Sequence, residues 1–455
     1  MYFPQIAASV AVAATVVLGI SGSTAIASKA VSSTTAPKAG SSNLISLLTA
    51  QKHSNSPTNT VSDKLARQLQ VTLDKTRLAA GVPGKGGVAG ATLAQKHSNS
   101  PTNTVSDKLA RQLQATLDKT RLAAGVPGKG GVAGATLAIA SRDEGQWFGS
   151  SGVADLATGT SVGPQDQFRI GSATKTFTAT VVLQLVDEGK LKLDDTLDKW
   201  LPSIAKNIPN SNKITIRQLL NGTSGIYDYL ADDSVIWQDI LQNPYRDWKP
   251  EELVSYIYGR QPTIGKWVYP NTGFILLGMI VEKATNSSLA SQIENRIIKP
   301  LGLKNTFFTA RTDSVPGGIV HAYWDIYPQD GIDEDLTSVN MSVAWAAGTM
   351  VSNTQDLIRF GDKLFRGKLL KPRTLKEMLT FIDLGSGFGY GLGIWSNDTP
   401  WGKAWRISGS GIGTAAALWY LPNRGLTVVS LSNQEVGQYF TSIRNATLEL
   451  VLGKP

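Results

Sequence analysis

The chain has no cysteine. That excludes disulfides, a thiol nucleophile and a thiolate metal site. It has only three histidines, His53, His97 and His321. The first two occupy equivalent positions in an internal repeat, so a Ser-His-Asp triad in the main domain could draw only on His321. A zinc site built from several histidines is disfavoured for the same reason. Beyond Ile20 no stretch is long and apolar enough to cross a bilayer. A dense run of one charge is also missing. Lys and Arg outnumber Asp and Glu by 44 to 35, a net charge of +9, but the basic residues are scattered among acids. With no basic, aromatic-interleaved patch, the balance suits a basic exported protein near anionic cell-wall polymers better than a nucleic-acid binder. Chemistry must therefore rest on Ser, Lys, Tyr, Asp or Glu.

What is present is ample for a large core: 455 residues, 42% of them hydrophobic, with 11 Trp. Residues 1–27 read as a signal peptide. Ile6 to Ile20 is apolar and Ala25-Ile26-Ala27 is a small-residue cleavage pattern before Ser28, although no Lys or Arg precedes the run. A periplasmic or secreted location follows. Residues 29–50 are a Ser/Thr/Ala-rich linker. Gln51 to Ala94 then recurs as Gln95 to Ala138 with one difference, Val71 in the first copy and Ala115 in the second. Two copies are too few for a solenoid. Each carries an amphipathic helix (Leu109, Leu113 and Leu117 in the second), a Val-Pro-Gly turn and the start of a strand. Only the second runs on into Ile139-Ala140 and can complete that strand. The expected organisation is a signal peptide at 1–27, a linker plus a surplus, poorly packed first copy at 28–94, and one hydrolase-sized domain at 95–455. Limited proteolysis of the mature protein should clip before about residue 100; a protease-resistant first copy would contradict this.

From the second copy onward the pattern is α/β, of the α+β type. Val132 to Ala140 and Gln146 to Phe148 predict a hairpin. Helices are predicted over Thr176 to Glu188, Ile214 to Leu220, Glu251 to Tyr258, Phe274 to Thr285 and Ser442 to Leu452. Strands are predicted over Tyr390 to Trp395, Thr414 to Leu421 and Leu426 to Leu431. Strands at both ends with helices between predict an antiparallel sheet completed by the N- and C-terminal segments, with flanking helices and an all-helical region.

Ser172-Ala173-Thr174-Lys175 opens the helical run. A serine hydroxyl is a weak nucleophile until a base takes its proton. A lysine three residues on lies on the same helix face, and it becomes a base where burial disfavours its charged form. The helix N-terminus also aims N–H groups at a developing oxyanion. Alone, the motif reads equally as a capping serine with a solvated lysine behind it. A second S-x-x-K, Ser203 to Lys206, sits in a polar loop-like stretch and reads as chance. Tyr269-Pro270-Asn271 precedes an apolar helix. Its phenol can shuttle a proton if a nearby ammonium favours the anion, and its amide can hold a substrate carbonyl and orient the lysine. Alone, the triplet reads also as a loop tyrosine and a capping asparagine.

Together, S-x-x-K followed about a hundred residues later by Y-x-N resembles the class C type serine β-lactamase and DD-peptidase family. Phe168 to Ser172, Leu183 to Leu193, Ile214 to Leu220, Thr223-Ser224-Gly225, Gly273 to Glu282 and Ser352 to Phe360 extend the resemblance over roughly Ser106 to Gly453. Within the family, Ile226-Tyr227-Asp228-Tyr229 and Trp345 to Val351 look most like low-molecular-weight D-alanyl-D-alanine carboxypeptidases. The resemblance implies a β-lactamase/transpeptidase-like fold. It also implies an acyl-enzyme on Ser172, proton transfer shared by Lys175 and Tyr269, and substrate orientation by Asn271. Ser408, Gly409 and Ser410 would form the third-motif strand, with an oxyanion site between the backbone N–H groups of Ser172 and Ser410. No metal or organic cofactor is implied. The implied partner is a cell-wall peptide, β-lactam or ester, taken by a monomer with no nucleic acid and no stable membrane span after signal cleavage. Two positions depart from the family pattern. Ile407 stands where the third motif usually has Lys or His, and Gly222 stands where a histidine usually precedes Thr-Ser-Gly. Arg406 and Lys403 are the cations near Ile407, but neighbouring strand residues face opposite sides.

Overall fold

The computed structural model describes residues 103–231, 233–326 and 331–455. The expected signal peptide, the linker and the first repeat copy lie outside the described residues. Ala231–Gln242 is a separate segment carrying one helix, Ile236–Gln242. The other described residues form the unit that holds the candidate site.

That unit is built on a nine-stranded antiparallel sheet. Its strands are β1 (Gly134–Ser141), β2 (Gly145–Asp155), β3 (Thr160–Ser161), β4 (Ile382–Gly385), β5 (Phe388–Tyr390), β6 (Trp395–Thr399), β7 (Gly402–Gly411), β8 (Thr414–Leu421) and β9 (Leu426–Ser432). The order across the sheet is β4-β5-β6-β7-β8-β9-β1-β2-β3. The N-terminal hairpin thus docks on the last C-terminal strand, Val428 opposite Ile139, as the sequence pattern predicts. The fold is β-lactamase/transpeptidase-like.

The second repeat copy is built into this core. Its helix α1 (Asp107–Ala123) starts at Ser106, whose hydroxyl accepts from the Leu109 amide, and buries Leu109, Leu113 and Leu117. These pack on one sheet face with Trp419, Val428 and Tyr439, the last from the C-terminal helix α6 (Gly437–Leu452). The opposite face receives α5 (Thr354–Phe365), with Leu418 of β8 set against Gly361; α2 (Thr174–Asp187) stacks Phe177 on Phe360 of α5 and packs against α4 (Asn271–Thr285). Helix α3 (Ile216–Asn221) precedes α4 and is opened by a Thr215/Gln218 capping box.

Several boundaries differ from the sequence pattern, the C-terminal helix starting at Gly437 and the second hairpin strand running to Asp155 among them. The predicted single strand over 390–395 is two strands joined by a turn, because Gly393 takes a left-handed φ of 77° and its amide donates to Leu220 and Gly391. Ile214 is extended and α3 begins only after Thr215 caps it. The helix predicted over 251–258 is Pro250–Ser255, followed by turns. Gly222 has a structural reason. It ends α3 with φ 81°, and a Cβ there would lie 2.8 Å from the Val268 carbonyl oxygen. A histidine at this position would face both costs.

Candidate active site

Ser172 is not the first residue of the long helix. It sits in a 3-10 turn, Gly171–Ala173, that feeds α2 at Thr174. The turn is pressed against β7. Gly171 has φ 48°, and a Cβ on it would lie 2.2 Å from the Ser410 carbonyl oxygen. A Cβ on Gly409 would lie 2.2 Å from the Ile170 carbonyl oxygen and 2.3 Å from the Ser172 nitrogen. Two glycines therefore let the nucleophile turn and the third-motif strand touch backbone to backbone. Gly409→Ala should push the two apart, a backbone collision that overpacking data place at about 1–3 kcal/mol or more. We expect a lowered melting temperature and a loss of acylation at Ser172 larger than the loss of folded protein; a variant with unchanged melting and acylation would contradict the contact.

Lys175 projects from the first turn of α2 into this junction. Its Nζ donates to Ser172 Oγ at 3.0 Å and to the Ala347 carbonyl at 2.9 Å. The side chain is 2% exposed. Burial lowers its pKa to about 7, against a smaller opposing pull from Asp228. A lysine that titrates there exists partly as a free amine at neutral pH, which is what a general base needs. The Ala347 carbonyl belongs to a short helix, Trp345–Gly348. Ala346 accepts from Thr178 Oγ1 at 2.8 Å, and Trp345 has a left-handed φ of 28°, a strained backbone next to the lysine's partner.

Tyr269 is hydrogen-bonded to the Ser172 side chain, and Lys175 Nζ lies 4.8 Å from its ring centroid. Its ring stacks on Trp395 at 6.3 Å and meets Trp267 edge-on. Burial raises its pKa to about 12. The condition set for a phenolate shuttle, a nearby ammonium that favours the anion, is opposed here by burial. Desolvation outweighs the Ser172 hydrogen bond and the Arg406 charge, so the phenol stays neutral and the lysine is the group poised near neutrality.

Asn271 opens α4 and is 2% exposed. It is not a cap, for its amide nitrogen donates to Asp228 Oδ2 at 2.9 Å. Asp228 Oδ1 accepts from the Leu230 amide at 3.0 Å, and the carboxylate's charge reaches both Lys175 and Tyr269. Asp228 was legible only as part of the Ile226 to Tyr229 likeness, with no role attached.

Pairing of β6 with β7 ends at Trp395 opposite Arg406, so Ile407 to Gly411 have a strand neighbour only on the β8 side. Ser408 and Ser410 flank Gly409 on this stretch. Ile407 is 1% exposed and points into the core. Neither nearby cation takes the missing position directly. Lys403 pairs with Asp398 across the ladder at 2.9 Å. Arg406 lies over Trp395 at 5.2 Å, buried enough to lower its pKa to about 10, with its charge felt at Tyr269. Sequence reasoning missed Glu435, which follows β9 and whose carboxylate is hydrogen-bonded to the Ser410 side chain. His321 is engaged elsewhere, 2.7 Å from Asp335 and 3.9 Å from Asp155. Ser203 and Lys206 of the second S-x-x-K are exposed. Among the described residues no group of His, Cys, Asp and Glu could hold a metal ion, and no helix is long and apolar enough to cross a membrane.

The family model described as Beta-lactamase matches residues 107–452. Penicillin-binding protein 4* of Bacillus subtilis is 29% identical over 330 residues, 67% of this chain and 69% of that protein. Among solved structures, a D-stereospecific amidohydrolase from Streptomyces is 32% identical with a TM-score of 0.67, covering 76% of this chain and 99% of the other. A D-amino acid amidase from Ochrobactrum anthropi, solved with D-phenylalanine, is 26% identical with a TM-score of 0.65, over 76% and 99% of the two chains.

Proposed function

Because the chain belongs to the beta-lactamase family, we propose that it is an exported serine hydrolase that cleaves amide bonds at D-residues through an acyl-enzyme on Ser172. One observation carries this: a buried lysine with a pKa near 7 donating to the serine hydroxyl at 3.0 Å. The neutral amine of Lys175 takes the Ser172 proton as Oγ attacks the substrate carbonyl. The resulting oxyanion lies between the backbone N–H groups of Ser172 and Ser410, and such a donor lowers the barrier by about 3 kcal/mol. Tyr269, a neutral phenol in contact with Ser172, relays a proton to the leaving nitrogen as the C–N bond breaks. Asn271, steadied by Asp228, orients the acyl part. Water then hydrolyses the ester and regenerates Ser172. None of these steps uses a metal or an organic cofactor. The substrate lies along the free edge of Ile407 to Gly411, and the catalytic unit acts as a monomer.

Two substrate classes suit this chemistry. The penicillin-binding relative supports D-alanyl-D-alanine carboxypeptidase action on cell-wall peptides. The D-amino acid amidase and D-stereospecific amidohydrolase neighbours support cleavage of D-configured amides, and the buried Ile407 favours this second class by removing the usual carboxylate-binding cation. Intact mass spectrometry after mixing with benzylpenicillin tests the shared step. A stable adduct supports a penicillin-inhibited peptidase and rapid drug loss without adduct a β-lactamase; absence of both points to the D-amide class, and no turnover of a D-amino acid amide either would remove the proposed acyl-enzyme.

A further inference from the structure

The wall of the site beyond Ser410 carries an acid with no cation to balance it. Sheet register puts Ser410 opposite Ala415 and Ala415 opposite Ser432, so the segment leaving β9 returns beside the nucleophile turn. Glu435 lies three residues beyond Ser432, partly exposed, with its carboxylate on the Ser410 side chain. Among the described residues no Lys, Arg or His forms an ion pair with it. Its burial raises its pKa to about 7, against the smaller opposing effect of the Ser410 hydrogen bond. Its charge reaches Tyr269, whereas Asp228 acts on both Tyr269 and Lys175 and is bonded to Asn271, which orients the acyl part. On the proposed mechanism Tyr269 serves the leaving nitrogen, so Glu435 faces the leaving-group side and Asp228 the acyl side.

A half-buried, unpaired carboxylate is relieved by an N–H donor or a cation and strained further by a second anion. We propose that Glu435 is the specificity-determining residue for the leaving group: it accepts a hydrogen bond from an amide or ammonium N–H and disfavours a leaving group that carries a free carboxylate. Together with Ile407 this makes the preferred substrates D-configured amides or carboxamide-ended peptides, rather than peptides ending in a free D-Ala carboxylate. The inference rests on the acyl-enzyme reading. It adds a residue that enforces the D-amide class that Ile407 favours. Arg406, the nearby cation, is the competing influence, and its guanidinium lies over Trp395 and Phe388.

The test uses the full chain and a matched pair that differs only in the leaving-side charge, benzylpenicillin and its methyl ester, with acylation rates read by intact mass. The wild type should acylate faster with the ester than with the acid, after correction for intrinsic reactivity against hydroxide. Glu435→Gln keeps size and hydrogen bonding but removes the charge, and should raise the acid-to-ester rate ratio at least tenfold. Glu435→Lys should raise it further. The corresponding pair for turnover is an acylated Lys-D-Ala-D-Ala tripeptide with a carboxylate or a carboxamide end, and the same shift should appear in the ratio of kcat/KM values. Thermal melting of each variant separates misfolding from altered choice, since a ratio is read on the folded fraction alone. A wild type that favours the acid, or a ratio that Gln and Lys leave unchanged, overturns the proposal and assigns the choice to Arg406. Acylation of Ser172 by neither compound, with no turnover of either tripeptide or of a D-amino acid amide, removes the acyl-enzyme reading and this inference together, an outcome distinct from an unchanged ratio.

Discussion

Ser172→Ala should fold, melt within a few degrees of the wild type and show no turnover of any substrate. The side chain sits in a short turn whose position is set by backbone contact between Gly171 and Gly409 with β7, so losing one hydroxyl removes little packing. The chemical loss is much larger. Removing a nucleophile that works as a unit with its base costs on the order of 10^6 in kcat in a well-measured serine hydrolase. The same substitution should abolish the penicillin adduct in intact mass spectra. An adduct that survives in the alanine variant would place the nucleophile elsewhere and dismantle the site as drawn.

The second large effect belongs to Lys175. Because burial holds its pKa near 7, the ammonium dominates below that pH and cannot accept the Ser172 proton. For a neutral ester or amide, kcat/KM should therefore rise about tenfold per pH unit on the acid side and level off above about 7. Tyr269, with its pKa raised to about 12, should not curtail the alkaline side in the accessible range. Lys175→Ala should remove the limb and reduce kcat/KM by several orders of magnitude. Lys175→Arg should not rescue, since a guanidinium stays charged at every working pH. Glu435 also titrates near 7, so the profile is best recorded in both the wild type and Glu435→Gln. If Lys175→Ala keeps more than about a tenth of the activity, Tyr269 is the principal base instead; an acid limb that persists in Lys175→Ala and is lost in Glu435→Gln belongs to Glu435.

Several elements of this site were legible because they are local in sequence. The i, i+3 spacing of Ser172 and Lys175 follows from helix geometry. The Leu109, Leu113 and Leu117 stripe follows from the same period, and the alternation of β7 places Ile407 away from its neighbours. The position of the sheet's closing strand was also legible, since only the second repeat copy continues past Ala138 into Ile139-Ala140.

Other features depend on residues far apart in the chain, and no local pattern encodes them. Asp228 acquires its partner from Asn271 only once the loop after α3 packs on the start of α4. Glu435 reaches Ser410 only because β8 and β9 carry the chain back to β7. The direction of the proton balance is likewise tertiary. Sequence reading places a phenol and an ammonium near one another, which on charge alone favours the phenolate. Burial of both groups reverses that preference, because desolvation penalises each charged form. The sequence by itself determined which groups could do the chemistry, through spacing and side-chain type. The tertiary structure decided which of them is buried and which acid reaches Ser410, because both depend on packing and on long-range strand register.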